Sequence, residues 1–84
     1  MKTIIKRNLE NVPYNRIKIK EAMRKALNSL ESEDILEQLL IQIESSFKDK
    51  EEISVEEIQD IVEKTLMKNE YYEAAKNYIL YREK

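Results

Sequence analysis

Lys6, Arg7, Asn15 and Lys18 are the side chains whose types and spacing suit a chemical task, and the task is holding phosphate. Lys6 and Arg7 close a short apolar segment, KTIIKR. Asn15 then opens a stretch with helical periodicity, and Lys18 lies one turn inside it. A helix N-terminus offers unpaired backbone N–H groups and the positive end of the helix dipole, so it attracts anions. Lysine adds a point charge and arginine a two-pronged donor for the same anion. If the N-terminal segment folds back against the helix it leads into, these groups converge. Val12, Ile19, Val55 and Ile58 would then wall a pocket for a flat apolar ring. The bland alternative is a set of ordinary solvated lysines on a basic helix.

Other chemistry is poorly supplied. The chain has no Cys and no His, which removes thiol nucleophiles, thiolate metal sites and the side chain best suited to proton transfer near neutrality. It has no Gly, hence no glycine-rich phosphate loop. Carboxylate pairs such as Glu51/Glu52 and Glu56/Glu57 are expected in a chain with 17 acidic residues and read as solvated helix faces. No run of Asp and Asn has metal-ligand spacing. An enzyme is not expected, nor a metal site made of protein ligands.

The net charge of −2 hides an asymmetry. Residues 1–30 carry eight basic and two acidic side chains, a balance of +6; residues 31–84 carry seven and fifteen, a balance of −8. A basic head on an acidic body focuses positive potential in one place. A long nucleic acid is disfavoured, because the acidic body opposes it and no recognition motif is present. Apolar runs are too short for a signal peptide or a membrane span, so a cytoplasmic protein is expected.

The elements that must position the basic cluster follow from periodicity. Residues 2–6 and 11–14 are short strands joined by a turn at Asn8 and Asn11, with Asn8 the candidate for a left-handed conformation. Asn15 caps a helix over 16–30 with a stripe of Ile19, Ala22, Met23, Ala26, Leu27 and Leu30. Ser32 caps a second helix, 33–48, whose stripe is Ile35, Leu36, Leu39, Leu40, Ile43 and Phe47. A polar connection, 48–52, leads to Ile53 in a short strand. Ser54 with Glu57 forms a capping box for a third helix, 55–67, apolar at Val55, Ile58, Ile61, Val62 and Leu66. Asn69 caps a fourth, 70–82, with Tyr71, Ala74, Ala75, Tyr78 and Ile79 inward and Tyr72, Leu80 and Tyr81 unable to join them all. The expected fold is mainly α (α+β): one domain over 1–84, a four-helix bundle capped at one end by an N-terminal β-hairpin or small three-stranded sheet.

Three ordered blocks resemble the ATP-cone family, the regulatory nucleotide-binding module of ribonucleotide reductases and of the repressor of reductase genes. The family opens with an apolar strand, Lys-Arg-Asp-Gly, then Pro-Phe-(Asp/Asn), two residues and Lys-Ile. Here the order is Lys6-Arg7-Asn8-Leu9, Pro13-Tyr14-Asn15 and Lys18-Ile19. ISVEEIQDIVEKTLM, 53–67, resembles the third-helix signature, and YYEAAKNYILYREK, 71–84, the closing helix. The resemblance implies a regulatory module for ATP or dATP, with Mg²⁺, acting on a ribonucleotide reductase or a regulator of it through conformation or homo-oligomerisation. It assigns Lys6, Arg7 and Lys18 to phosphate, Asn15 to the ribose and base, and Ile19, Val55, Ile58 and Gln59 to the adenine pocket. It also makes Ile53 part of a third strand.

Departures from the family pattern fall at the site. Leu9 replaces the turn Gly and Asn8 the Asp, so a turn of different conformation or length is expected. Val55 stands where some members have Thr, and Gln59 where some have His, which alters hydrogen bonding to a base. The alternative function is a degenerate cone that has lost its nucleotide and serves as a protein-interaction domain.

Overall fold

The computed structural model describes residues 2–28 and 31–82, the side chains of Tyr81 and Arg82 excepted. Three strands and four helices follow in the order β1 (Thr3–Ile5), β2 (Asn11–Pro13), α1 (Arg16–Ala26), α2 (Glu33–Phe47), β3 (Glu52–Ser54), α3 (Val55–Lys68) and α4 (Tyr72–Arg82). The helices pack in a ring, α1 on α2, α2 on α3, α3 on α4 and α4 on α1. The sheet has the order β2-β1-β3, with β1 antiparallel to β2 and parallel to β3. This is the expected bundle, and Ile53 does lie in a third strand.

One row across the sheet explains its attachment. Val12, Ile4 and Ile53 stand in register on neighbouring strands, so their side chains share a face. Ile4 and Ile53 are buried in the same cluster as Met23, Leu36, Leu40, Ile43, Phe47, Val62 and Leu66, and Val12 packs against it. Lys2 fastens the sheet to α2: its ammonium group donates to the Phe47 carbonyl at 2.7 Å and lies 5.2 Å from the centre of the Phe47 ring. The last turn of α2 has no basic residue of its own, so Lys2 supplies the cation that the negative helix end attracts.

With no glycine available, other residues take the left-handed positions. They are Leu9 at φ 69°, Asn28 at 56° and Glu70 at 67°. The hairpin turn therefore differs from expectation: Leu9, not Asn8, is left-handed, and Asn11 belongs to β2. Asn8 is instead held by its side chain, which accepts from the Glu10 N–H at 3.1 Å and donates to the Glu10 carboxylate at 3.0 Å. Leu9 N–H donates to the Lys6 carbonyl and Lys6 N–H to that of Glu10, closing the turn. Leu9 thus adopts the left-handed conformation that glycine favours.

Helix ends account for the other differences. α1 stops at Ala26, short of residue 30, because Leu27 caps it and Asn28 turns left-handed; Leu30 lies outside the described residues. Asn69 does not cap α4. It ends α3, where its side chain donates to the Thr65 carbonyl at 2.8 Å and to Gln42 at 2.9 Å. Tyr71 N–H reaches back to the Leu66 carbonyl and Glu70 N–H to that of Met67, the pattern of a helix closed by a left-handed residue. Asn15, Ser32 and Ser54 cap α1, α2 and α3 as expected. Ala74, Ala75 and Tyr78 of α4 are buried, while Tyr72 and Leu80 are exposed; the side chain of Tyr81 lies outside the description. Among the described residues, no helix is long and apolar enough to cross a membrane.

Most of the charge on α1 is spent on α2. Arg16, Lys20 and Arg24, four residues apart, form one edge of α1 and meet Glu33, Glu37 and Glu44 of α2. Arg16 grips Glu44 with two bonds of 3.0 Å and Glu37 at 2.8 Å, and Tyr14 donates to Glu44 at 2.7 Å. The hydrogen bond from Arg24, then that from Lys20, holds the Glu33 carboxyl down at about 2. Burial alone would raise Glu44, but bonds from Arg16 and Tyr14 outweigh it and keep it below its ordinary value. Tyr14 is pushed above the usual tyrosine range by burial and by Glu44.

Two outcomes are expected. A carboxylate depressed in the fold stabilises it above its unfolded pKa and loses that contribution as pH falls through the folded one. For Glu33 the loss runs from its ordinary 4.5 down to about 2, so its carboxyl resonance should titrate near the lower value and move up in Arg24→Ala. Leu9 is 81% exposed, so Leu9→Gly removes backbone strain without emptying the core. It should raise stability by about 1 kcal/mol, read from the denaturation midpoint.

Candidate nucleotide-binding cleft

Each of α1 and α3 starts where a strand ends. Pro13 closes β2 three residues before Arg16, and Ser54 is both the last residue of β3 and the cap of α3. The two helix N-termini therefore open at the sheet end of the bundle, with a cleft between them. Asn15 fixes the start of α1 by accepting from the Ile17 N–H at 3.1 Å, and the residue is exposed. Ser54 does the same for α3 through the Glu57 N–H at 3.1 Å. Glu57 gives its carboxylate to Lys50 at 2.6 Å.

The inner part of the cleft has a volume of about 160 Å³ and is walled by Val12, Asn15, Lys18, Ile19, Val55, Ile58 and Gln59. An outer part of about 380 Å³ adjoins it, bordered by Lys6, Arg7, Asn8, Val55 and Gln59. Val55 and Gln59 belong to both. The structure thus brings all nine residues singled out from the sequence to two connected hollows. It also adds some that sequence reading missed. Tyr78 reaches the inner part from α4, and Ile4, Pro13, Tyr14 and Ala22 complete the wall. Tyr78 had a signal, since a tyrosine within a buried stripe often marks the rim of a core, where its hydroxyl finds polar company.

Electrostatics separate the cations of the basic head. Arg16, Lys20 and Arg24 are neutralised by α2. Arg7 donates to the amide oxygen of Gln59 at 3.3 Å, bridging the hairpin turn to α3. Among the described residues, the ammonium groups of Lys6 and Lys18 have neither a hydrogen-bond nor an ion-pair partner. Two uncompensated cations beside an apolar hollow, with an arginine held by a neutral amide, can accept a polyanion joined to a flat ring. No group of acidic side chains among the described residues could hold a metal ion.

The profile of the ATP cone domain matches residues 2–84. The chain belongs to the ATP-cone family. This cone is 42% identical, over its whole length, to a vitamin B12-dependent ribonucleoside-diphosphate reductase of Thermoplasma acidophilum. Over 95% of its length it is 39% identical to the ribonucleoside-diphosphate reductase subunit alpha of Chlamydia pneumoniae and 37% identical to that of Treponema pallidum. It spans 12%, 9% and 11% of those proteins, respectively. Membership makes it a regulatory module of the nucleotide-binding kind.

Asn15 sets the direction of α1 at the cleft, and its removal leaves the Ile17 N–H without its side-chain acceptor. Asn15→Ala should cost about 1 kcal/mol of stability, seen as a lower denaturation midpoint with an unchanged slope.

Proposed function

We propose that this cone binds ATP or dATP in the cleft between the hairpin, α1 and α3. The base occupies the inner part, among Val12, Ile19, Val55, Ile58 and Gln59. The polyphosphate points to Lys6, Arg7 and Lys18, with the exposed Asn15 at the ribose. Mg²⁺ arrives with the phosphates, because the described residues offer no acidic cluster for it. The observation that carries this reading is the pair of unneutralised ammonium groups, Lys6 and Lys18, beside apolar walls, in a head whose other cations are largely engaged.

The bound nucleotide favours one arrangement of the cone or of its copies, and a ribonucleotide reductase or a regulator of one reads that arrangement in the cytoplasm. Only a difference in nucleotide affinity between the two arrangements can shift them. The likeness to reductase chains supports this partner. A second reading, a degenerate cone that binds protein alone, draws on an apolar surface away from the cleft. There Met67, Tyr72 and Leu80 are 46%, 60% and 56% exposed beside Ile79.

Calorimetry with ATP and dATP, each with Mg²⁺, together with the mass of the particle in solution, separates the two. Micromolar binding is expected. Lys6→Ala with Lys18→Ala should weaken it about a hundredfold or more, since each charge-assisted contact is worth roughly 1.5–3 kcal/mol. Unchanged affinity in that variant overturns the site. No heat from folded wild-type protein, with an oligomer that ignores nucleotide, favours the second reading.

A further inference from the structure

Gln59 is the one polar side chain of α3 that borders both parts of the cleft. An amide has two faces, an oxygen that accepts and an amino group that donates, and a free one can turn either toward a ligand. Here the choice is made from outside. A guanidinium has only donors, so the side of the amide that meets Arg7 must be the oxygen. The contact is 3.3 Å, from an Arg7 terminal nitrogen to Gln59 Oε1. Arg7 borders the outer part alone, whereas Gln59 also borders the inner part among Val12, Ile19 and Ile58. With its oxygen held on the outer side, the amide has its amino group left for the inner one.

We infer that Gln59 reads the base as a hydrogen-bond donor, and that Arg7 is the positioning residue that sets its polarity. The ligand edge that Gln59 selects is therefore an acceptor, a ring nitrogen of a purine, rather than an exocyclic amino group. The apolar walls cannot make that distinction, because they present no polar atom to any edge of the ring. Val55, the other residue common to both parts, supplies no hydrogen bond, so polar selection on the α3 side falls to Gln59. Arg7 reaches this position only because the hairpin turn, closed by the left-handed Leu9, stands opposite the first turns of α3. The inference rests on the nucleotide reading above and adds to it the chemical edge that is recognised.

The test compares ATP with 1-deaza-, 3-deaza- and 7-deaza-ATP by calorimetry, in the wild type, Gln59→Glu and Arg7→Leu. Each analogue replaces one ring nitrogen by a C–H group. One analogue should bind the wild type about tenfold more weakly than ATP, the usual consequence of a lost hydrogen bond. Gln59→Glu keeps the acceptor for Arg7 but loses the donor. It should bind ATP more weakly and no longer separate ATP from that analogue. Arg7→Leu frees the amide to turn, so the same ratio should shrink, whatever happens to absolute affinity. A residue acting on phosphate alone would lower every nucleotide equally and leave the ratio unchanged, which overturns the positioning role. Equal binding of all three analogues and ATP by the wild type, or a ratio that survives Gln59→Glu, overturns the reading of the base by Gln59. Absence of any ATP binding by the wild type instead overturns the nucleotide site itself.

Discussion

The parallel pairing of β1 with β3 is the constraint on which the cleft depends. Ile4 beside Ile53 joins the first strand to one nearly fifty residues later, and both side chains enter the core. Since β2 leads into α1 and β3 into α3, that pairing brings two helix N-termini to the same end of the bundle. It also sets the hairpin turn, with Lys6 and Arg7, across from Val55 and Gln59. A bundle without the sheet would still bury Met23, Leu40 and Val62, but it would have no reason to gather these groups. Three residues per strand suffice because the row of Val12, Ile4 and Ile53 is anchored in the core, where an isolated hairpin would be marginal.

The basic head divides into two populations with different work. Arg16, Lys20 and Arg24 form a ladder with α2, and because both sides of it are substantially exposed, it contributes registry between α1 and α2 more than stability. Lys2 closes the end of α2. Among the described residues, Lys6 and Lys18 have no such partner and Arg7 meets the neutral Gln59 amide, all three close to the hollow. Tyr14 joins the populations: it lines the inner cleft, holds Glu44 by its hydroxyl, and stacks edge-on against Phe47 at 5.5 Å. The cleft wall is thereby in physical contact with the α1–α2 ladder.

Much of this was legible in the residues. The period-3.6 stripes located four helices, and Asn15, Ser32 and Ser54 located three helix starts, because a capping side chain acts on a backbone N–H two or three residues away. Asn69 misled for the same local reason: an asparagine suits either end of a helix, and only its bonds to Thr65 and Gln42 place it at the end of α3. Asn8 misled because its intrinsic tolerance of a left-handed backbone was outweighed by its side-chain grip on Glu10, which passed that conformation to Leu9.

Short-range patterns thus specified four helices, three of their N-caps and the existence of the hairpin, and with the family resemblance they named nine side chains that the fold brings to the cleft. They could not say which cations of the head were already neutralised, since the partners of Arg16, Lys20 and Arg24 are mostly supplied by another helix at distances in the chain that have no periodicity. Nor could they reveal Tyr78 as a wall of the cleft, or the bond that turns the Gln59 amide, 52 residues from Arg7. Those belong to the tertiary structure alone, because charge pairing, burial and hydrogen-bond direction depend on which groups meet in space, and a sequence records only which groups are neighbours along the chain.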